Sequence, residues 1–360
     1  MTLGNPAPGT PFRDLPCAHG EPLGNGRLRT TPADFELDES LGFAPDGEGD
    51  HWLLRVRKTD ANTEWVARRL AQIGGVRQAD IGYAGLKDRR AVATQWFSLP
   101  LPRDREPDWS VLAGEGISVL EVHAHRRKLR RGSLAGNRFR IRIRDLAAGP
   151  DSIRARIDAI RRLGVPNYFG EQRFGRSGAN LARADALLCG DQRGARVRRP
   201  THHQRGLWLS AARSQLFNEV LAERVRRGDW ARPLPGDCLN LAGSHSFFRA
   251  DAVDAELAGR CAAMDLHPTG PLWGAGEPPS GAEVRALEER VAARFPGWPE
   301  GLARFGLRQE RRALRLPVQS IAWSPLEPGV ELTFELPAGA YATAVLRELI
   351  TWAEDESAAE

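Results

Sequence analysis

Arg138-Phe139-Arg140-Ile141-Arg142-Ile143-Arg144 alternates without a break. Side chains along a strand point to opposite faces with a period of two, so Phe139, Ile141 and Ile143 share one face and four arginines the other. The stretch predicts a half-buried strand with one face on a core and the other offered to a polyanion. A strand face whose charges are merely solvated is the alternative. A second alternating run, Val330-Glu331-Leu332-Thr333-Phe334-Glu335-Leu336, predicts another half-buried strand near the C-terminus.

The neighbouring segments extend this sheet. Strand-like runs occupy 30–37, 52–58, 94–99 and 119–125, and a helix capped by Asp60-Ala61-Asn62-Thr63 ends at Gly74-Gly75. After about residue 150 the period changes to that of helices, at 180–188, 208–227, 251–263 and 282–295, and strands return from 312. Strand-rich flanks around a helical middle predict an α+β chain in which one sheet domain is interrupted by an insertion. The expected division is an irregular lead-in at 1–26, a sheet domain at 27–160 and 311–352, a mostly helical α/β insertion at 161–310, and an acidic tail at 353–360. A helix is expected at 343–352.

The totals bound the class. Hydrophobic content of 41% and charged content of 27% are those of a globular protein, and 360 residues exceed one small core. Formal charge is +5, and from Arg126 to Arg144 nine cations stand without one acid. Cys17, Cys189, Cys238 and Cys261 lack metal-ligand or redox spacing, which fits free thiols in a reducing, cytoplasmic compartment. No run approaches the roughly 20 apolar residues of a membrane span.

One stretch carries a candidate reactive group: Gly82-Tyr83-Ala84-Gly85-Leu86-Lys87-Asp88-Arg89-Arg90-Ala91. It reads as a short strand, a glycine-hinged turn, and a carboxylate flanked by Lys87, Arg89 and Arg90. A solvated charged turn is the bland reading; a site for an approaching phosphate is the functional one. The other chemistries are poorly served. No P-loop or dinucleotide fingerprint is present, and the His123/His125 pair has no third ligand nearby. Ser210 and Ser214 lack a nucleophile elbow. Glycoside hydrolysis normally uses two carboxylates, and here there is one among many cations.

Several of these stretches, taken in order, resemble the bacterial TruD-type tRNA pseudouridine synthases. The matches are Ala84 to Val92 with Gln95-Trp96; His125 to Arg131 with Gly136-Asn137-Arg138-Phe139; Gly164 to Gly175; Trp208 to Ser214 with Phe217-Asn218; and Leu336 to Thr343 with Val345 to Leu349. The resemblance implies a pseudouridine-synthase catalytic domain with a mixed, largely antiparallel sheet, interrupted by a TRUD domain. It implies isomerisation of uridine 13 in tRNA, with no cofactor, no required metal, no membrane, and a monomer without an obligate protein partner. It carries the catalytic aspartate onto Asp88. Lys87, Asn137 and Phe139 become its expected support: Lys87 to orient or pair with Asp88, Asn137 to position it or the base, and Phe139 to sandwich the flipped uracil. Arg89, Arg90, Lys128, Arg130, Arg131, Arg138 and Arg173 are the expected RNA contacts. Where the family commonly has Phe, Tyr341 stands, and its extra hydroxyl is expected to matter little unless the ring is fully buried. A non-catalytic RNA-binding protein and a base-releasing hydrolase are the competing readings. A carboxylate can attack C1′ or remove the C2′ proton, and the residues do not choose between them.

Overall fold

The computed structural model describes residues 9–100, 107–190 and 200–352. The expected acidic tail, much of the proline-rich loop at 100–110 and the first part of a basic tract at 193–205 lie outside them.

In chain order the first strands are β1 (Phe35–Leu41), β2 (His51–Thr59), β3 (Gly82–Tyr83), β4 (Val92–Pro100), β5 (Ile117–His125) and β6 (Leu134–Arg144), with helix α1 (Thr63–Gly74) after β2. Helix α2 (Pro150–Leu163) leads to β7 (Val165–Pro166), α3 (Ala179–Cys189), α4 (His202–Arg226), β8 (Asp237–Leu241), β9 (Phe247–Ala250) and α5 (Ala255–Ala262). Then come β10 (Leu266–Leu272), α6 (Ala282–Ala292), α7 (Trp298–Arg304), β11 (Glu310–Ala313) and β12 (Arg315–Leu316). The chain returns through β13 (Gln319–Leu326) and β14 (Gly329–Pro337) to a short α8 (Ala342–Leu346).

Eight strands form the main sheet in the order β13-β14-β6-β1-β4-β2-β5, with β3 beside β4. Among the described residues of this sheet, β1 and β4 run parallel and the other pairings are antiparallel. Phe139, Ile141 and Ile143 of β6 are buried, as their alternation requires, and lie opposite Phe334, Leu332 and Val330 of β14. β4 is buried on both faces. Phe97 and Leu99 join Val66, Leu70 and Ala71 of α1 in one cluster, while Trp96 packs with Leu53 and Leu129 in another.

The arginine face of β6 differs from expectation. Each of its arginines meets a carboxylate from a neighbouring segment. Arg138 bonds Glu335 at 2.8 Å, Arg142 bonds Glu331 at 2.9 Å, and Arg140 approaches Glu331 at 3.8 Å. Arg144 clasps buried Asp34 with two bonds of 2.7 and 2.9 Å. Burial would raise the Asp34 pKa, but the bonds from Arg144 and Thr31 outweigh it and hold the carboxyl below its ordinary value. The stripe is therefore one side of a cross-strand ion-pair ladder. Glu331 and Glu335 alternate on β14 in the register that opposes it.

Contacts divide the chain into two compact units. The sheet unit holds Leu23–Ile157, Val318–Ala340 and the chain from Leu349; the second holds the stretch ending at Pro22, Asp158–Pro317 and Tyr341–Glu348. Three placements thus differ from the sequence expectation: the lead-in up to Pro22, the stretch 311–317 and Tyr341–Glu348 all belong to the second unit. Much of the lead-in belongs to the second unit because Arg347 donates to the carbonyls of Phe12, Leu15 and Pro16, and Glu348 accepts from the amides of Ala18 and His19. The helix expected at 343–352 is only the five residues of α8, and Thr351 already bridges Asn25. Within the second unit β11-β10-β8-β9 make a four-stranded antiparallel sheet. Its strands escape a propensity reading because β10 carries Pro268, Gly270 and Pro271 and β8 opens on charged Asp237.

Candidate active site

The parallel pairing of β1 with β4 aligns Glu36 with Val92, so the chain entering each strand arrives at the same end of the sheet. β2, antiparallel to β4, ends there too, with Thr59 opposite Val92. Three segments distant in sequence therefore converge, bringing Arg29, Lys58 and Asp88 together. Arg29 Nη2 lies 2.6 Å from Asp88 Oδ2 in a charge-assisted hydrogen bond. The Asp88 side chain remains 48% exposed and that of Arg29 33%. Arg29 has φ of +56°, a left-handed conformation that costs a non-glycine residue about 1 kcal/mol or more. Its guanidinium sits 4.2 Å from the centroid of the Phe35 ring, which holds it in that posture.

The turn carrying Asp88 is tethered at several points. Lys87 Nζ lies 2.7 Å from Glu39 Oε2 and donates to Asn137 Oδ1 at 2.6 Å. Glu39 is buried on β1 opposite Asn137 of β6, and its Oε1 accepts from the Trp96 amide. Lys87 thus turns inward and is not the partner of Asp88: a buried Glu39 needs the cation more than a half-exposed aspartate does. The Lys87 amide donates to Thr63 Oγ1, which in turn bonds Gln95. From below, Lys58 Nζ donates to the Asp88 carbonyl at 2.8 Å. A groove of about 580 Å³ opens along the turn, lined by Leu86, Asp88 and Arg89 on one side and Trp65 and Arg68 of α1 on the other.

The comparisons with known proteins agree with one another. A family model described as tRNA pseudouridine synthase D (TruD) matches residues 17–198 and 190–349. The tRNA pseudouridine synthase D of Methylococcus capsulatus is 50% identical over 340 residues, 94% of this chain and 95% of its own length. That of Pseudomonas aeruginosa is 47% identical over 336 residues, 93% of each chain. The chain belongs to the TruD family. A crystal structure assigned to TruD from Methanosarcina mazei shares the fold, with a TM-score of 0.69 over 96% of both chains at 22% identity.

The remaining expected residues of this TruD chain fall into three groups. Phe139 lies beside the Asp88 cluster but is 7% exposed, stacked on Phe334 at 5.3 Å and in edge contact with Phe35 at 6.1 Å. With one face covered, its ring is a floor rather than half of a sandwich. The second group is the basic segment at 126–131, which packs against β3. A Cβ on Gly82 would stand 2.4 Å from the Leu129 carbonyl and 2.5 Å from Ser98 Oγ, so only glycine permits that approach. Lys128 Nζ donates to the Ala79 carbonyl at 2.6 Å, Arg131 lies over the Tyr83 ring, and Arg130 is exposed. Arg89 stands 3.7 Å from Asp60, and Arg90 is half-buried.

Residues of the third group do structural service. Arg138 is held by Glu335, as described above. Arg173 belongs to the second unit, where it donates to Tyr341 Oη at 2.9 Å and Ser210 Oγ at 3.1 Å. The Tyr341 hydroxyl therefore does matter, contrary to expectation, as the acceptor for Arg173. His123 and His125 bond Glu121 and Asp46, and among the described residues no group of three or more His, Cys, Asp or Glu could hold a metal ion. No described helix is long and apolar enough to cross a membrane.

Arg29, Glu39 and Lys58 are the site residues that sequence reasoning missed. Two of them leave a signal. Glu39 follows Phe35 and Leu37 in phase on β1, and Lys58 follows Leu54 and Val56 in phase on β2, so each is a charge at an inward position. Arg29, at an irregular position fixed by a parallel pairing, leaves none.

Proposed function

We propose that this isomerase, a tRNA pseudouridine synthase, converts uridine 13 of tRNA to pseudouridine with Asp88 as its single reacting carboxylate, acting without a cofactor. The observation that carries this is the half-exposed Asp88 carboxylate held by Arg29 through Oδ2, with Oδ1 free of hydrogen bonds among the described residues. The reaction breaks C1′–N1, turns the uracil in place and forms C5–C1′; C5 loses its proton to solvent and N1 takes one up, so the product is an isomer of the substrate. Attack of Oδ1 on C1′, or removal of the C2′ proton by Oδ1, both require a carboxylate fixed at the sugar, which the Arg29 bond supplies. Arg29 also offers a cation beside whichever oxygen carries charge as the base departs.

The uridine must leave its stack, at a cost of a few kcal/mol, before C1′ meets the carboxylate. The small exposed part of Phe139 gives the flipped uracil an apolar contact. The exposed cations Arg89, Lys128, Arg130 and Arg131, with half-buried Arg90, suit phosphates of a folded RNA. A monomer contains every group named. The test is a tRNA transcript tritiated at uracil C5, with release of tritium and retention of the base in the polymer both measured. Asp88→Asn should lower the rate by about 10³-fold or more while leaving the tRNA Kd within about threefold. Turnover retained in that variant removes the assignment; free uracil as product would make the enzyme a base-releasing hydrolase instead.

A further inference from the structure

The alternation of β2 carries a lysine into the core. Lys58 shares the inward phase of Leu54 and Val56 and is 0% exposed. Its ammonium donates to two main-chain carbonyls, Ala61 at 2.6 Å and Asp88 at 2.8 Å. Among the described residues it has no carboxylate within ion-pair distance. The charged groups that face it are Asp88 and Asp60, which favour its cation, and Lys87, which opposes it. A buried ammonium without a paired acid is expensive, and chains rarely keep one where an amide or a bound water would satisfy the same carbonyls.

What distinguishes this lysine is the carbonyl it holds. The Asp88 side chain is fixed by Arg29 and its main chain by Lys58, so the reacting residue is gripped from both ends. A rotation of the Asp88 peptide would swing the carboxylate away from the ribose. The ammonium prevents that rotation and places a positive charge behind the carboxylate in a poorly screened setting.

We propose that Lys58 is a positioning residue for the reaction: its protonated ammonium clamps the Asp88 carbonyl and keeps the carboxylate aimed at the ribose. The inference rests on the reading of Asp88 as the reacting carboxylate. It adds a group that meets no substrate and makes the site sensitive to alkali. Burial pushes the Lys58 ammonium down to about 8 despite the nearby acids, so it is charged at neutral pH and loses its charge as pH rises through that value. A neutral amine still donates to carbonyls, but less strongly.

The experiment measures single-turnover rate and tRNA Kd from pH 6.5 to 9.5 for the unaltered enzyme, Lys58→Met, Lys58→Arg and Asp88→Asn, with circular dichroism as the check on folding. Lys58→Met should lose ~10–100-fold in rate at pH 7 with tRNA Kd within about threefold, as expected for loss of a charged hydrogen bond that acts on the reacting group. The alkaline fall in rate near pH 8 should vanish in that variant, while Lys58→Arg should recover much of the rate and move the fall above pH 9. A Lys58→Met rate within twofold of the unaltered enzyme, or an unchanged alkaline fall in it, overturns the proposal. If Lys58→Met does not fold, the comparison with Lys58→Arg decides: coincident alkaline limbs overturn it. An inactive Asp88→Asn beside a normal Lys58→Met sinks the Lys58 proposal alone, whereas an active Asp88→Asn sinks the reading on which it rests.

Discussion

Ion pairs do opposite work around Asp88 in the sheet unit and around Arg224 in the second. Around Asp88 the charges stand near water: side-chain exposures are 48% for Asp88, 33% for its partner Arg29, and 51% for Arg89. In the second unit Arg224 is 2% exposed between Asp229 and Asp237, and Arg311 is 1% exposed against Glu288. An exposed pair contributes little to stability and is readily exchanged for another anion. A buried pair cannot be opened without leaving an uncompensated charge in the core. Charge around Asp88 is thus available for chemistry and binding, while the Arg224 and Arg311 pairs, like the buried Lys87–Glu39 pair of the sheet unit, fasten their own elements together.

The sharpest way to break this comparison is Arg224→Met. Arg224 of α4 donates to Asp229 Oδ1 at 2.6 Å, to both carboxylate oxygens of Asp237 on β8, and to the carbonyls of Asp229 and Arg232. Burial disfavours its cation, yet the two aspartates more than offset that and raise its pKa. Removing the guanidinium should cost about 3–5 kcal/mol in urea unfolding, because buried Asp237 loses its cation and Asp229 keeps only half-buried Arg227. A loss below about 1 kcal/mol would show that these buried charges are no more consequential than surface ones.

A pH experiment tests the same contrast more gently. His267 of β10 accepts a hydrogen bond from Arg315 Nε at 3.1 Å. Burial, and secondarily the Arg315 charge, push its pKa down to about 4. In the unfolded chain the imidazole titrates near its ordinary 6.5, so between the two values the unfolded state binds more protons. The neutral-histidine contribution is therefore present above pH 6.5 and is lost as pH falls toward 4. At pH 4.5 the native enzyme should have lost about 2 kcal/mol of unfolding free energy more than His267→Gln over the same drop from pH 6.5, after discounting for partial burial. Parallel losses in the two proteins would mean that the imidazole is hydrated in the fold.

Much of this architecture is legible in single segments. The alternation of Phe139, Ile141 and Ile143 gives the buried face of β6, and the cation-flanked Asp88 marks the reactive turn. What escapes is whatever depends on pairing between segments far apart in the chain. Arg29 reaches Asp88 through a parallel β1–β4 register that no local period encodes. The arginine stripe looked bare because Glu331 and Glu335 lie some 190 residues away, at separations of 189 and 197 from their partners. Inward phase alone would have exposed Glu39 and Lys58, since a charge at such a position must find a partner or a function.

The smallest predicted effect separates two sets of arginines in the sheet unit itself. Each phosphate contact adds about 0.7–0.9 to the slope of log K against log salt. If Arg130 and Arg131 meet phosphates, changing both to Gln should lower the tRNA-binding slope by about 1.5. Arg138→Gln should leave it within about 0.3, because Glu335 already holds that guanidinium at 2.8 Å and no counterion is released by swapping partners. The decisive variant is Glu335→Gln, which removes the acid and leaves Arg138 in place. If the ladder alone withholds Arg138 from RNA, this variant should gain up to about 0.8 in slope and bind tRNA more tightly at low salt. If instead its slope is unchanged while Arg138→Gln lowers it, Arg138 contacts phosphate despite its ion pair. The division between available and committed charge would then run along individual side chains rather than between the basic segment at 126–131 and the ladder of β6 and β14.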